Sequence, residues 1–440
     1  MPKCNQHTIG VMDPNSLSFR VAFEKLIEHL APDLMWNGER HRIQTRRIMC
    51  RPYDTLNATS SCTAIMNRGA HWNPHHNSFF MIIMHDVYLL NDMISFKAID
   101  KNTAYAHMAR LGLNVPPTAA IPQKDYASLK ESESIQLDLV FSEFEMFDLF
   151  EAASGVGYPA FLKPQDGGGW VGVSQVKNAA ELQAAYDKSG ERPMNLQKAI
   201  DFQEFVRTVG VGPQMMPMHY NPDAEHSHDR YLRNPGQAVQ QNFLSVSEFD
   251  EVTKITKIIN AFYNWDHNSC EILIGKDGIC YPIDYANAYP DSTVISLHYY
   301  FPELVKSMVR WLSFVSVTGH KKRVDFAYDH GRYFKVKEEA KAKGWDYRTT
   351  LDRYAQLADE HFATAQFNDF LGECWHANGY EEKCLEYFES DGFLQLIDEE
   401  IERYFKIPAE RAPKHAHYGG IHKYWAQCER ERISGKPVGA

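Results

Sequence analysis

The chain has 440 residues and a formal net charge of −11, from 46 Lys and Arg against 57 Asp and Glu. Its 44% apolar and 23% charged residues supply enough material for sizeable cores, which excludes a disordered chain. A general nucleic-acid binder needs a basic face to neutralise phosphates, so the acidic balance argues against that class as well. At roughly 150 residues per domain, the length predicts about three domains or lobes.

The sequence indicates neither a membrane span nor a secretion signal. Its most apolar run, residues 79–84, has six residues, far below the roughly 18 that a membrane helix needs. The first ten residues are polar and contain no apolar signal-peptide core. The eight cysteines are irregularly spaced without a CxxC pair, which is typical of reduced thiols. We therefore expect a cytoplasmic protein with neither a membrane nor a nucleic-acid partner, and leave open whether it forms a homodimer.

The first part of the chain reads as a small α/β domain followed by a well-delimited helix. Residues 79–84 form a continuous apolar run, which we interpret as a buried strand. Asp100 then fits a helix N-cap, and Gly112, followed by two prolines, fits the C-terminal end of that helix. At the other end, residues 320–440 are charged and helical in pattern and predict an accessory helical region.

A glycine-rich loop follows Lys163. Gly167, Gly169 and Gly172 match the dinucleotide fingerprint by letter, but that motif must open a helix, and the residues after Gly172 have a strand pattern. We favour a β-hairpin whose glycines allow backbone N–H groups to approach phosphate oxygens, with Lys163 adding a positive charge. A flexible surface hairpin with a solvated lysine is the alternative.

Two carboxylates occupy a second predicted hairpin. Asp277-Gly278 lies between two apolar runs, which is a strong hairpin signal, and a two-residue turn there pairs Glu271 with Asp284 on one face. Like charges so placed are destabilising, and a divalent cation with oxygen ligands such as Mg²⁺ removes that penalty. Asn287 could add a carbonyl ligand. The alternative is a pair of solvated carboxylates on an exposed face.

The segment between the two hairpins contains a weaker signal. Gln197, Lys198 and Ile200 lie at the end of a predicted strand, whose backbone N–H and C=O groups could meet an adenine, and Glu204 beyond them could bind ribose hydroxyls.

Histidines and cysteines give only weak indications of a metal site. His226 and His228 lie in a polar stretch and are the histidines to watch, whereas the other histidine groups read as surface or packed residues. Cys374, His376 and Cys384 form a weak zinc pattern.

Taken in order, these motifs resemble the ATP-grasp fold, and within it the carboxylate–amine ligases of the D-alanine–D-alanine ligase and glutathione synthetase type. The resemblance covers about residues 97–292 and implies an α/β (α+β) fold. It implies an N-terminal pre-ATP-grasp α/β domain at 1–95, an ATP-grasp module at 96–315 with a lid subdomain at about 118–200, and a helical C-terminal region at 316–440.

The same resemblance assigns roles to residues. It implies that ATP phosphates are bound by Lys101 and by Lys163, which also neutralises charge during transfer, and by Gly167, Gly168 and Gly169. It implies that adenine is bound by Gln197, Lys198 and Ile200, and ribose by Glu204. Mg²⁺ or Mn²⁺ would be held by Glu271, Asp284 and Asn287, although the family often places its asparagine one residue earlier than Asn287. A further basic residue would meet the transferred phosphoryl group, and the candidates are Arg207, Arg230 and Arg233.

The activity implied is activation of a carboxylate, of an amino acid or small peptide, as an acyl phosphate. An amine then displaces phosphate to form an amide, with release of ADP and phosphate. Two alternatives stay open: a phosphotransferase or carboxylase on the same fold, and a nucleotide-binding regulatory protein without turnover.

Overall fold

The computed structural model describes residues 4–14, 16–94, 100–126, 147–167, 170–231, 242–287, 289–321 and 330–435. The chain forms two compact units. The first unit is assembled from three stretches of chain: Met1–Ala98, Phe205–Cys270 and Asn287–Ala440. The second unit consists of Ile99–Glu204 and Glu271–Ala286. The chain therefore passes between the two units four times.

A five-stranded sheet opens the first unit, with strand order β2-β3-β1-β4-β5. Its strands are β1 (Cys4–Met12), β2 (Asp33–Trp36), β3 (Glu39–Arg47), β4 (Ala64–Asn67) and β5 (Tyr88–Leu89). β1 pairs in parallel with β3 and β4, whereas β2 and β3 form an antiparallel pair. Helix α1 (Leu17–Leu30) follows β1, and its apolar side chains, such as Phe19 and Phe23, are buried. The predicted small α/β region is thus present.

The strand expected at residues 79–84 is wrong, because these residues belong mainly to helix α2 (Pro74–Ile83). The side chain of Asn73 accepts hydrogen bonds from the backbone N–H groups of His75 and His76, and Pro74 occupies the first helical turn. This cap and proline form a helix-start signal, which outweighs an apolar run that is compatible with either structure.

A buried arginine joins distant parts of the first unit. Arg68, which follows β4, lies 2.9 Å from an oxygen of Asp13, and its other nitrogens contact His267 Nε2 at 2.7 Å and the Pro290 carbonyl at 3.0 Å. His267 Nδ1 lies 3.0 Å from the Gly210 carbonyl, so Nδ1 carries the proton and Nε2 accepts from Arg68. Burial, and to a smaller extent the neighbouring Arg68, lower the pKa of His267 to about 3, which keeps this imidazole neutral.

The rest of the first unit is mainly helical, which confirms the predicted helical C-terminal region. The helices in this part of the first unit are α6 (Val246–Phe262), α7 (Val294–Leu297), α8 (Phe301–Thr318), α9 (His330–Lys343), α10 (Tyr347–His361), α11 (Thr364–Phe370), α12 (Tyr380–Phe388), α13 (Asp391–Tyr404) and α14 (Pro408–Ile433). The second unit contains helices α3 (Lys101–Leu111), α4 (Leu149–Ser154) and α5 (Ala179–Asp187). Among the helices within the described ranges, none is long and apolar enough to cross a membrane.

A buried ionic network connects α8 with α12 and α14. Lys306, whose side chain is fully buried, contacts Glu303 at 2.9 Å, Glu381 at 3.5 Å and also Glu429. The network contains three cations and three anions: Lys306, Arg310, Arg432, Glu303, Glu381 and Glu429. The charges of the network balance, and loss of one of its buried members, such as Lys306 or Glu381, leaves an uncompensated buried charge.

The second unit contains a four-stranded antiparallel sheet with order β6-β9-β7-β8. Its strands are β6 (Thr118–Ile121), β7 (Ala160–Pro164), β8 (Ser174–Val176) and β9 (Met194–Lys198). Apolar side chains of the sheet and of α4 and α5, including Leu162, Leu182 and Leu196, form one core. β7 pairs antiparallel with β8, so the glycine-rich segment closes a β-hairpin as predicted.

A second four-stranded sheet has the order β11-β10-β12-β13. Its strands are β10 (Phe202–Val211), β11 (Gln214–His219), β12 (His267–Gly275) and β13 (Cys280–Asn287). β10 pairs antiparallel with β11, which places Arg207 opposite Met218. These strands carry the candidate acids Glu204, Glu271 and Asp284 and, of the candidate arginines, Arg207.

Candidate functional site

Lys101 is the first residue of α3 and its side chain is directed to a carboxylate. Asp100 caps the helix by accepting the Thr103 N–H, as the sequence predicts, and this cap fixes where the helix begins. Lys101 is nine-tenths buried, its Nζ lies 3.2 Å from an oxygen of Asp284, and it donates a 3.1 Å hydrogen bond to the Gly167 carbonyl. The glycine-rich loop, the helix start and the β13 acid are therefore brought together within the second unit.

Lys163 on β7 is a second buried ammonium group in the same unit. Its Nζ donates to Gln197 Oε1 at 2.7 Å and to the Ile283 carbonyl at 3.2 Å, and it lies 3.4 Å from the Tyr105 hydroxyl. The pKa of Lys163 is lowered to about 8, chiefly by burial; Asp284 and Glu271 oppose this shift, and Lys101 adds to it. These dependences mean that both lysines and both carboxylates share one electrostatic environment.

The Glu271–Asp284 hairpin differs from the expected one at its turn. The Gly278 N–H donates to the Gly275 carbonyl and the Gly275 N–H donates to the Ile279 carbonyl, so the turn has one more residue than a two-residue loop. Gly278 has φ +77°, as the glycine of a three-residue hairpin loop requires. That loop alone would put the two acids on opposite faces.

The burial pattern of β13 does not alternate regularly at Ile283 and Asp284. Ile283 and Asp284 are both half-buried, where regular pleating would alternate, and the Ile283 carbonyl accepts from the Tyr105 hydroxyl at 2.7 Å and from Lys163. Such a break is what a β-bulge produces, since a bulge re-aims the side chains that follow it. Pro282 lies next to this break and cannot donate a hydrogen bond to a regular ladder.

The glycine-rich loop is described in part. Gly167 has φ +88°, a conformation that favours glycine, whereas Gly168 and Gly169 lie outside the described residues. The expected hairpin is present, and the chain after Gly172 enters β8 and not a helix, which is the observation that argues against a dinucleotide fingerprint.

Residues of the predicted hinge form hydrogen bonds with other residues of the second unit. The backbone N–H of Lys198 donates to the Pro117 carbonyl at 2.9 Å, that of Ala199 donates to Pro159 at 3.0 Å, and Lys198 Nζ donates to the Tyr158 carbonyl at 2.7 Å. The side chain of Gln197 contacts Lys163, which brings the hinge to the lysine. Ile200 follows β9, and Glu204 lies half-buried on β10.

The candidate arginines and Asn287 belong to the first unit. Arg207 Nε and Nη2 donate to Ser269 Oγ at 3.3 and 3.2 Å, and Asn287 Nδ2 donates to the same oxygen at 3.0 Å. Arg230 Nη1 donates to the Tyr220 hydroxyl at 3.0 Å. Arg233 lies outside the described residues.

Three residues at these contacts were missed from the sequence. Tyr105 lies one helical turn after Lys101, so its place on the same buried face of α3 could have been found from the i, i+4 spacing. Tyr220 and Ser269 had no local signal, because their importance lies in partners that are distant along the chain. In the described ranges, no group of three or more His, Cys, Asp or Glu side chains is arranged to hold a metal ion.

No family model matches the chain. Among solved structures, it is similar to a RimK domain ATP-grasp protein from Sphaerobacter thermophilus DSM 20745, with 13% identity and a TM-score of 0.45 over 70% of this chain and 99% of that chain. It is also similar to the VanG D-Ala:D-Ser ligase from Enterococcus faecalis, with 10% identity, a TM-score of 0.45, and 71% and 99% coverage. For the D-alanine–D-alanine ligase from Bacillus anthracis in complex with ATP, the values are 15% identity, 0.41, and 72% and 100%.

Proposed function

We propose that this protein is an ATP-dependent carboxylate–amine ligase of the ATP-grasp type. The observation that carries the proposal is the convergence, in the second unit, of Lys101 and Lys163 with Asp284 and Glu271. Two buried ammonium groups beside two carboxylates and a glycine-rich loop suit a nucleotide whose phosphates are accompanied by a divalent cation.

The carboxylates fit a cation of the Mg²⁺ or Mn²⁺ type, because their ligand atoms are oxygens and because both carboxylates raise the pKa of the same lysine, Lys163. Glu271 and Asp284 would hold it, with Asn287 as the candidate third ligand. A bound divalent cation would supply charge neutralisation at the phosphates. The 3.2 Å ion pair between Lys101 and Asp284 orients this acid in the protein alone.

The two lysines would neutralise charge on ATP during transfer. Lys163 is held by Gln197 and the Ile283 carbonyl, so its ammonium group is placed before the nucleotide arrives. An anionic phosphate beside it would raise its lowered pKa and keep it protonated. Since phosphoryl transfer depends on positioning and charge neutralisation, no protein nucleophile is required.

In the proposed reaction, a substrate carboxylate oxygen bonds to the γ-phosphorus of ATP as ADP leaves. An amine nitrogen then attacks the acyl carbon, inorganic phosphate leaves, and the nitrogen loses a proton to give the amide. The glycine-rich loop would keep water from the acyl phosphate, which water would otherwise hydrolyse. The proposed adenine contacts are Gln197, Lys198 and Ile200, and the proposed ribose contact is Glu204. Gly168 and Gly169 are further candidates for binding the phosphates, and Arg233 is a further candidate for meeting the transferred phosphoryl group.

The experiment is a phosphate-release screen of amino-acid and dipeptide pairs with ATP and Mg²⁺, followed by mass spectrometry of the products. Glu271→Gln and Asp284→Asn should each lower metal-dependent turnover at least about 100-fold, because even residues that only support a metal ligand contribute about 10- to 100-fold. Asp201→Asn is the matched control, since this exposed acid of the same unit pairs with Lys276.

A new amide that needs both an acid and an amine supports a ligase. A phosphorylated or carboxylated product without an amine would support the phosphotransferase or carboxylase alternative. Metal-dependent ATP binding without ADP formation across the screen would support a regulatory protein. Full activity of both acid variants would contradict the metal assignment.

A further inference from the structure

The first unit contains a cavity that is lined by none of the described residues proposed to bind ATP or metal. Its volume is about 400 Å³, which lies within the range of small-molecule sites. At about 30 Å³ per water molecule, this space holds about 13 water-sized groups, enough for an amino acid as large as phenylalanine. The lining residues come from the β10–β11 hairpin, from α8 and from the chain around α11, all of which belong to the first unit.

Apolar side chains form part of the cavity wall. Met215 and Met216 of β11 are half-buried and line the cavity, as does Phe367 of α11, which is buried. The hairpin that carries the two methionines is attached to α8, because Gln214 Nε2 donates to the Ser307 carbonyl at 2.9 Å. Methionine side chains are unbranched and flexible, so they can adapt to the shape of a neighbouring group. This wall therefore suits the apolar part of a ligand.

Two oppositely charged side chains of α8 line the same cavity. Arg310 Nη1 donates to Glu303 Oε1 at 2.8 Å, and Glu303 Oε2 lies 2.9 Å from Lys306 Nζ. The Glu303 side chain is 38% exposed, so its carboxylate can accept further hydrogen bonds. Burial alone would raise the pKa of Glu303, but Lys306 and Arg310 lower it to about 2, which keeps this acid ionised at neutral pH.

Arg310 has donors that its protein partners do not use. It is 8% exposed, and within the described residues its Nη1 donates to Glu303 and its Nη2 to Glu381. Its Nε is buried and has no hydrogen-bond partner in that part of the chain. Because a guanidinium group has five N–H groups, further donors remain, and a buried N–H without an acceptor is costly. An acceptor brought by a ligand would remove this cost.

The charges around the cavity indicate which kind of polar ligand fits. Glu303 and Arg310 belong to the ionic network of three cations and three anions, which has no net charge. A ligand with a net charge would leave one charge uncompensated beside this buried network. A zwitterion adds one charge of each sign, and its ammonium group can donate to Glu303 while its carboxylate accepts from Arg310.

We propose that this cavity binds a zwitterionic α-amino acid with an apolar side chain. The ammonium group of the amino acid binds to Glu303 and its carboxylate to Arg310, while its side chain lies against the two methionines and Phe367. None of these residues is a candidate for binding ATP or the metal, so the proposal does not rest on the ligase activity proposed above.

The test is calorimetric titration of the full chain with L-leucine, L-methionine and L-phenylalanine in separate experiments, without ATP or metal. At least one of them should bind with a Kd below about 1 mM. The N-acetyl derivative and the amide of the amino acid that binds best should each bind at least about 10-fold more weakly, because each lacks one of the two charges.

Three variants test where the amino acid binds. Asn368→Trp places a large side chain at an exposed residue that lines the cavity and should weaken binding at least about 10-fold. Gln366→Trp is the matched control, since Gln366 is also exposed on α11 but does not line the cavity, and this variant should bind as the wild type does. Glu303→Gln keeps the shape but removes the charge and should weaken binding about 10- to 100-fold. Thermal unfolding midpoints establish that each variant is folded.

Binding that is weakened by Asn368→Trp and Glu303→Gln but not by Gln366→Trp supports the site. No binding of any of the three amino acids to the wild type, equal binding by wild type and Asn368→Trp, or equally tight binding of the N-acetyl derivative would overturn it. If Glu303→Gln fails to fold, the comparison of the two tryptophan variants decides alone. The titrations contain no ATP and need no turnover, so failure of the ligase proposal and failure of this one give different results.

Discussion

Lys163 should make the stability of the ligand-free protein depend on pH in the alkaline range. Burial lowers the pKa of Lys163 from 10.5 to about 8. The unfolded chain therefore binds one more proton than the folded chain between these two values. Since stability rises with pH wherever the unfolded state binds more protons, the free energy of unfolding should gain about 3 kcal/mol between pH 7 and 10.5 from this lysine.

The assay compares wild type with Lys163→Met by urea unfolding at pH 7, 8, 9 and 10. The methionine also removes the hydrogen bond from Lys163 to Gln197, but the stability lost with that bond is nearly independent of pH. The way in which the stability difference between wild type and variant changes with pH therefore reports the titration of Lys163. The stability of the wild type should rise relative to that of the variant by about 1 kcal/mol per pH unit between pH 8 and 10, and by less between pH 7 and 8. Lys188→Met, an exposed lysine of the same unit, should show no such trend.

A difference between wild type and Lys163→Met that stays constant from pH 7 to 10 would refute the reasoning. A second measurement is independent of unfolding: if ATP binds at Lys163, binding near pH 8.5 should take up protons, because the phosphates favour the ammonium form. Calorimetry in two buffers with different ionisation enthalpies would detect this uptake, and it should disappear in Lys163→Met.

Two further predictions concern stability. Gly212→Ala should cost at least about 3 kcal/mol by urea unfolding, because φ is +55° and an added Cβ would lie 2.4 Å from the buried Trp311 ring; Gly38→Ala, with φ +79° and open space, should cost only about 1 kcal/mol, and equal costs would contradict the steric argument. Glu381→Gln should cost about 3–5 kcal/mol at pH 7 against almost nothing for the adjacent, exposed Glu382→Gln. The cations around Glu381 hold its pKa well below the usual range, so the stability that it contributes is fully present above about pH 4.5 and decreases progressively as pH falls below that value toward the lowered pKa; a penalty that is as large at pH 3 as at pH 7 would be inconsistent with this.

Local signals in the sequence were sufficient to predict those parts of the structure that depend on contacts between neighbouring residues. The helix after Asp100 begins and ends where its cap and Gly112 predict, because these residues satisfy the helix ends with neighbours a few positions away. The hairpin around the glycine-rich loop follows for the same reason. Lys163 and the two acids could be named because charged residues in apolar strands are rare enough to stand out, whereas Lys101 was named through the family resemblance.

Other features could not be predicted from the sequence. They depend either on two local signals that favour different structures or on contacts between residues that are distant along the chain. Residues 79–84 are apolar enough for a strand, and only the cap at Asn73 decides for a helix. The turn after Gly275 gained a residue, and the alternation of β13 broke near Pro282, so one register rule applied to the whole hairpin was too simple. Tyr220 contacts two arginines, Arg207 and Arg230, that lie on either side of it in sequence, which no periodic pattern predicts.

The order in which the first unit is assembled has a consequence for cutting the chain. The three stretches of the first unit are separated along the chain by stretches of the second unit. Arg68 nevertheless contacts one residue from each of the three stretches, namely Asp13, His267 and Pro290. A protease that cleaves once within residues 99–204 would therefore leave fragments that still hold together without a peptide bond between them. Two separately expressed halves divided in that region are accordingly a promising starting point for a complementation assay.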